Sequence, residues 1–65
     1  MLYFFYYAEF YVNGDNRIHL ADGILTLPLD ADLIFLDQNV RTCIQRNNPK
    51  VVRSTIVIKS LSRLG

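Results

Sequence analysis

Sixty-five residues make a single domain, 1–65, and a chain of this size buries only about 60% of the surface its unfolded form exposes. An apolar fraction of 51% against 20% charged residues excludes a disordered chain, and the single cysteine, Cys43, excludes a disulfide within it. The net charge of +1 conceals a split: residues 1–37 carry Glu9, Asp15, Asp22, Asp30, Asp32 and Asp37 against Arg17, giving 1 − 6 = −5, whereas residues 38–65 carry Arg41, Arg46, Lys50, Arg53, Lys59 and Arg63 with no acid, giving +6.

Seven of the eight aromatic residues fall in the opening "MLYFFYYAEFYV". Tyr, Phe and Val favour a pleated surface, so residues 2–12 are expected to form the first strand. Period two puts Leu2, Phe4, Tyr6, Ala8, Phe10 and Val12 on one face and Tyr3, Phe5, Tyr7, Glu9 and Tyr11 on the other. The first set is uniformly apolar and belongs in a core. The segment is too short to span a bilayer as a helix. It carries Glu9 and lacks the basic start of a signal peptide, so a cytoplasmic protein with no membrane contact is expected.

Asn13-Gly14 within "NGDN" signals a hairpin, because both residues tolerate positive φ. A second strand follows from about Arg17 to Leu27, with "ADG" (Ala21 to Gly23) read as a bulge or bend. Asp30 or Asp32 is the expected N-cap of a helix whose buried stripe is Leu33, Leu36, Val40, Cys43 and Ile44. Arg41, Gln45 and Arg46 point outward, and "NNP" (Asn47 to Pro49) ends the helix. A third strand, about Val51 to Ser60, places Val52, Ser54, Ile56 and Ile58 on one face and Arg53, Thr55, Val57 and Lys59 on the other. The tail "SLSRLG" either extends it or frays.

The order strand, strand, helix, strand makes an α+β, β-β-α-β domain: a three-stranded antiparallel sheet of order 2-1-3 with one helix on one face. One helix covers one face only. The other then shows Tyr3, Phe5, Tyr7 and Tyr11, with Val57 beside them. Half of the 150–250 Å² that a large aromatic buries, taken over four rings, is roughly 300–500 Å². Covering it is worth on the order of 10 kcal/mol before association costs. A protein surface is expected to cover this face, most simply a second copy in a homodimer, with an unidentified protein partner as another occupant; the alternative is that the tyrosines stay half-solvated with their hydroxyls in water.

The remaining residues give weaker signals. Arg41, Arg46, Arg53 and Lys59 are candidate anion or nucleic-acid contacts, with Arg53 and Lys59 expected beside the rings of Tyr3, Phe5 and Tyr7. The charge split fits such a face, but attraction between the two halves of a folded chain explains it more simply. His19 has Asp22 nearby in sequence, but on the opposite face unless the bulge intervenes, so it reads as an ordinary surface or interface histidine. Cys43 on the helix stripe reads as a small core residue rather than a nucleophile. Asp30 and Asp32 read as caps rather than a Mg²⁺ pair. No catalytic residue, metal site or cofactor is expected, and the chain is read as a non-enzymatic interaction module, with nucleic-acid binding as the alternative.

The run "FFYYAEFYVNGDNR", then "ADGILTL", then "VRTCI", then "VVRSTIVIKSLSRL" resembles small uncharacterised phage- or prophage-encoded proteins of bacteria. The resemblance lies in length, the aromatic first strand, a central Asp-Gly-Ile and a closing Ser-Leu-x-x-Leu. It implies a bacterial cytoplasmic accessory protein and carries over no functional residues.

Overall fold

The alternation that begins at Leu2 is realised as a nine-residue strand, β1 (Leu2–Phe10), in a computed structural model that describes residues 1–64. Strand β2 (His19–Leu27) pairs with it antiparallel, from Leu2 opposite Leu27 to Phe10 opposite His19, without a break in register. A 3-10 turn (Leu33–Phe35) leads into helix α1 (Leu36–Asn47). Strand β3 (Val57–Arg63) then returns antiparallel to β1 on its other side, so the sheet order is β2-β1-β3. The expected α+β topology is therefore present. The most apolar strand lies in the centre, where two neighbours and the helix remove it from water.

Leu2, Phe4, Tyr6, Ala8 and Phe10, the even face of β1, supply half of the ten buried apolar residues among those described. Val40 and Ile44 of α1, Leu25 of β2, and Val51 and Ile56 complete the core, with Leu36 and Cys43 packed half-buried against it. The Asp32 carboxylate accepts the Ile34 amide at 3.1 Å and caps the 3-10 turn, so of the two acids expected to cap, Asp32 does it. Asp37 lies in the first turn of α1 and Arg46 in its last, each suiting the dipole at its end.

Four local expectations are corrected. The hairpin expected at "NGDN" is present, but of its two turn residues only the glycine takes positive φ. Gly14 has φ +84°, and the Asp15 amide bonds the Val12 carbonyl at 3.2 Å. That is a type II turn inside a longer connection, residues 11–18. "ADG" forms neither bulge nor bend, since Gly23 pairs in register with Tyr6. A Cβ on Gly23 would stand 2.8 Å from the Tyr6 hydroxyl, so the glycine makes room for a ring lying across it.

The third strand starts later than expected. Val51 makes an isolated bridge to Val12, and Arg53–Thr55 wind into a 3-10 turn. The Thr55 hydroxyl donates to the Val52 carbonyl at 2.6 Å and accepts the Tyr11 amide at 2.9 Å. These side-chain bonds compete with ladder formation and override the β-branched composition. The tail extends the strand to Arg63. Leu33, finally, is 43% exposed rather than on the buried stripe. Three residues per turn in the 3-10 segment put it out of phase with the 3.6 of α1.

Tyr6 carries the one polar group set deep among the core rings. Its hydroxyl lies 3.8 Å from the Cys43 sulfur, and burial, then that contact, pushes the phenol up to about 12. Folding thus favours the neutral phenol. The preference is fully present below pH 10 and is lost as pH rises through about 12. Urea titrations across this window should show wild type losing stability that Tyr6→Phe keeps; parallel curves would remove Tyr6 from the alkaline transition.

Candidate functional site

Helix α1 lies against the even face of β1, and among the described residues nothing lies against the odd face. Tyr3 and Tyr11 are 45% and 38% exposed, Val57 is 55% exposed, and Phe5 and Tyr7 are half-buried by their neighbours within the sheet. All five residues expected at the interface therefore share one uncovered surface. The register enlarges it. Ile24 is opposite Phe5 and Leu20 opposite Glu9, so both join this face, at 52% and 59% exposure. The sequence signal for them is the alternation of Leu20, Asp22, Ile24 and Thr26, which the bulge or bend expected at "ADG" hides.

The polar groups on this face are few. Glu9 lies among the rings with Lys59 beside it, Nζ 3.2 Å from the carboxylate. The pairing shifts between Tyr7 and Ala8, which face Ser60 and Ile58, so Lys59 is the extra residue of a bulge and reaches Glu9 from there. Ser60 and Ser62, opposite Tyr7 and Phe5, follow on the same face. Asp22 is opposite Tyr7 at the β2 side. A row of rings flanked by aliphatics and one internally neutralised ion pair makes a surface suited to apolar contact with small polar inserts.

The four expected anion contacts do not come together. Arg53 is not beside the rings: it lies in the 3-10 turn, where its guanidinium donates to Gln45 Oε1 at 3.0 Å and to the Gln38 carbonyl at 3.4 Å, clasping α1. Arg41, expected to point outward, donates to Asp37 at 2.8 Å and to the Ile56 carbonyl, tying the helix to the approach of β3. Arg46 is exposed on α1 beside Leu25, Leu27 and Cys43, on the opposite side from the rings. Lys59 alone reaches the open face, and there it meets Glu9. Part of the charge split is thus used within the chain, the acidic half contributing Glu9 and Asp37, two of its six acids, to cations of the basic half.

His19 lies on the helix side of β2, away from Leu20, with its ring stacked on Phe10 at 6.1 Å. Its carboxylate partner is Asp15 from the turn, 3.0 Å from Nε2, not Asp22. The Arg17 amide, then the Arg17 side chain, then His19 hold the Asp15 carboxyl below its ordinary value. This arrangement closes the connection onto the end of β2. Cys43 is half-buried, with Asn47 Nδ2 3.9 Å from its sulfur in addition to Tyr6.

A second apolar surface was not foreseen. Leu29, Ile34 and Phe35, between β2 and α1, are 73%, 78% and 54% exposed. The sequence signal for it is "LIF" directly after a cap, of which the expected helix stripe accounts for Leu33 alone. Among the described residues, no helix is long and apolar enough to cross a membrane. No protein family, curated protein or solved structure matches the chain.

Proposed function

We propose that this chain is a non-enzymatic protein-interaction module that associates with a second copy of itself through the aromatic face of its sheet. The observation that carries the reading is the uncovered set Tyr3, Phe5, Tyr7, Tyr11 and Val57, joined by Leu20 and Ile24, on the side of the sheet opposite α1. The rings alone offer roughly 300–500 Å², at the upper end of the largest patch on an ordinary monomer. With three aliphatic residues added, the face approaches the ~800 Å² per partner of a standard interface. Two such faces packed about 10 Å apart across a two-fold axis form a sandwich with the helices outside.

Nucleic-acid binding has less support. A single-strand platform needs free cations beside its rings, whereas Lys59 is paired with Glu9 and Arg53 is turned to the helix.

Light scattering on a size-exclusion column should give a dimer mass that falls on dilution. Phe5→Lys, at the centre of the face, should leave a folded chain that has lost this face-to-face contact, its tyrosines quenched more freely by acrylamide. A wild-type monomer at high concentration, with tyrosines already open to the quencher, overturns the proposal.

A further inference from the structure

The two outer edges of the sheet are built differently. β3 carries the bulge at Lys59, and its seven residues include Lys59 and Arg63, features that discourage a further strand from pairing. β2 has none of these. "HLADGILTL" runs nine residues without Lys, Arg, Pro or a register break, and Asp22 is its one acid. An unguarded edge of this length is a template for another strand.

Bonds elsewhere in the sheet show which backbone groups that edge offers. The Tyr3 carbonyl accepts from the Leu64 amide at 2.7 Å, the Tyr11 carbonyl from the Val52 amide at 2.9 Å, and the Asn13 amide donates to the Lys50 carbonyl at 2.7 Å. Odd-numbered residues of this stretch therefore aim their backbone groups at the β3 side. Neighbours along a strand aim opposite ways, so Phe4, Tyr6, Ala8 and Phe10 bond to β2. Their partners Leu25, Gly23, Ala21 and His19 are thereby used. Leu20, Asp22, Ile24 and Thr26 are left with N–H and C=O groups aimed away from β1.

We infer that the β2 edge pairs antiparallel with the β2 edge of a second copy, with Ile24 opposite Ile24 at the two-fold axis. This register sets Asp22 opposite Thr26 of the second copy, twice, where a hydroxyl meets a carboxylate. On the helix side it sets Ala21 against Leu27 and Gly23 against Leu25. Sliding by four residues puts Asp22 opposite Asp22, a like-charge pair. Sliding by two faces the carboxylate with Ile24. The chosen register forms about six backbone hydrogen bonds between copies and a six-stranded sheet of order β3-β1-β2-β2-β1-β3. Both aromatic faces then lie on the same side, joined through Leu20 and Ile24. The contact is independent of face-to-face association, and either can exist without the other.

Amide hydrogen exchange read by NMR on the full chain tests it, because edge pairing removes an alternation that a free edge must show. At high concentration the amides of Asp22, Ile24 and Thr26 should be protected like those of Ala21, Gly23 and Leu25. An edge closed about 99% of the time slows exchange about 100-fold, and dilution should return the even-numbered amides to the free rate. Thr26→Pro removes an outward N–H that no intrachain bond uses, and should release Asp22 and Ile24 while Gly23 and Leu25 stay protected. Phe5→Lys should leave the edge protection unchanged, which separates this contact from the one through the rings. Free exchange at Asp22, Ile24 and Thr26 at every concentration in the wild type overturns the proposal, whether or not the proline variant folds.

Discussion

Ile44→Ala should lower the free energy of unfolding by about 2–5 kcal/mol, measured as a reduced urea midpoint with an unchanged slope. Ile44 is 1% exposed, and with Val40 it is one of only two fully buried side chains that α1 contributes. The other side of the contact is the even face of β1, whose large side chains are fixed by both neighbouring strands. Neither partner can follow a shortened residue inward without breaking sheet bonds, so most of the cavity persists. A domain of this length has roughly 3–10 kcal/mol of stability in total. Loss of three carbons at this one point therefore removes about half of it, and the helical signal should melt together with the sheet. A shift below about 1 kcal/mol would mean that α1 does not rest on the sheet through Ile44.

The same residues show where sequence pattern carries information and where it stops. The period of two in β1 told core from surface correctly at every position from Leu2 to Phe10, because a central strand has both of its faces defined by tertiary structure. Topology followed from element order, since a helix of this length returns the chain to the free side of β1. The errors came where a side chain bonds its own backbone or where two helical periods meet. Thr55 closes a 3-10 turn on Val52, and that moved Arg53 from the ring face to the helix. The 3-10 entry to α1 turned Leu33 outward and exposed Ile34 and Phe35. For the candidate site, Tyr3, Phe5, Tyr7, Tyr11 and Val57 were legible from alternation alone. Ile24 and Leu20 were not, because the glycine that seemed to interrupt their strand is explained only by a ring on the neighbouring one.

That glycine sets the second large expectation: Gly23→Val should destabilise the protein by about 3 kcal/mol, the upper part of the usual overpacking range. Strand propensity alone argues for the opposite sign, since valine is favoured over glycine in strands by up to about 1 kcal/mol. The difference lies in Tyr6. A Cβ at position 23 would come within 2.8 Å of Tyr6 Oη and 3.0 Å of Cζ, and its two methyl groups would need more room still. Tyr6 is 3% exposed and packed between core residues, so its rigid ring cannot swing aside as an exposed lysine would. Laying an aromatic ring over a cross-strand glycine covers backbone that the glycine leaves bare, so the pair works as a unit. Chemical denaturation of the four species in a Gly23→Val and Tyr6→Phe cycle tests this. Removing the hydroxyl relieves the closest approach, so Gly23→Val should cost less in the Tyr6→Phe background than in wild type, with a coupling on the order of 1 kcal/mol. If Gly23→Val raises the urea midpoint, or if the two changes simply add, the ring does not lie across Gly23.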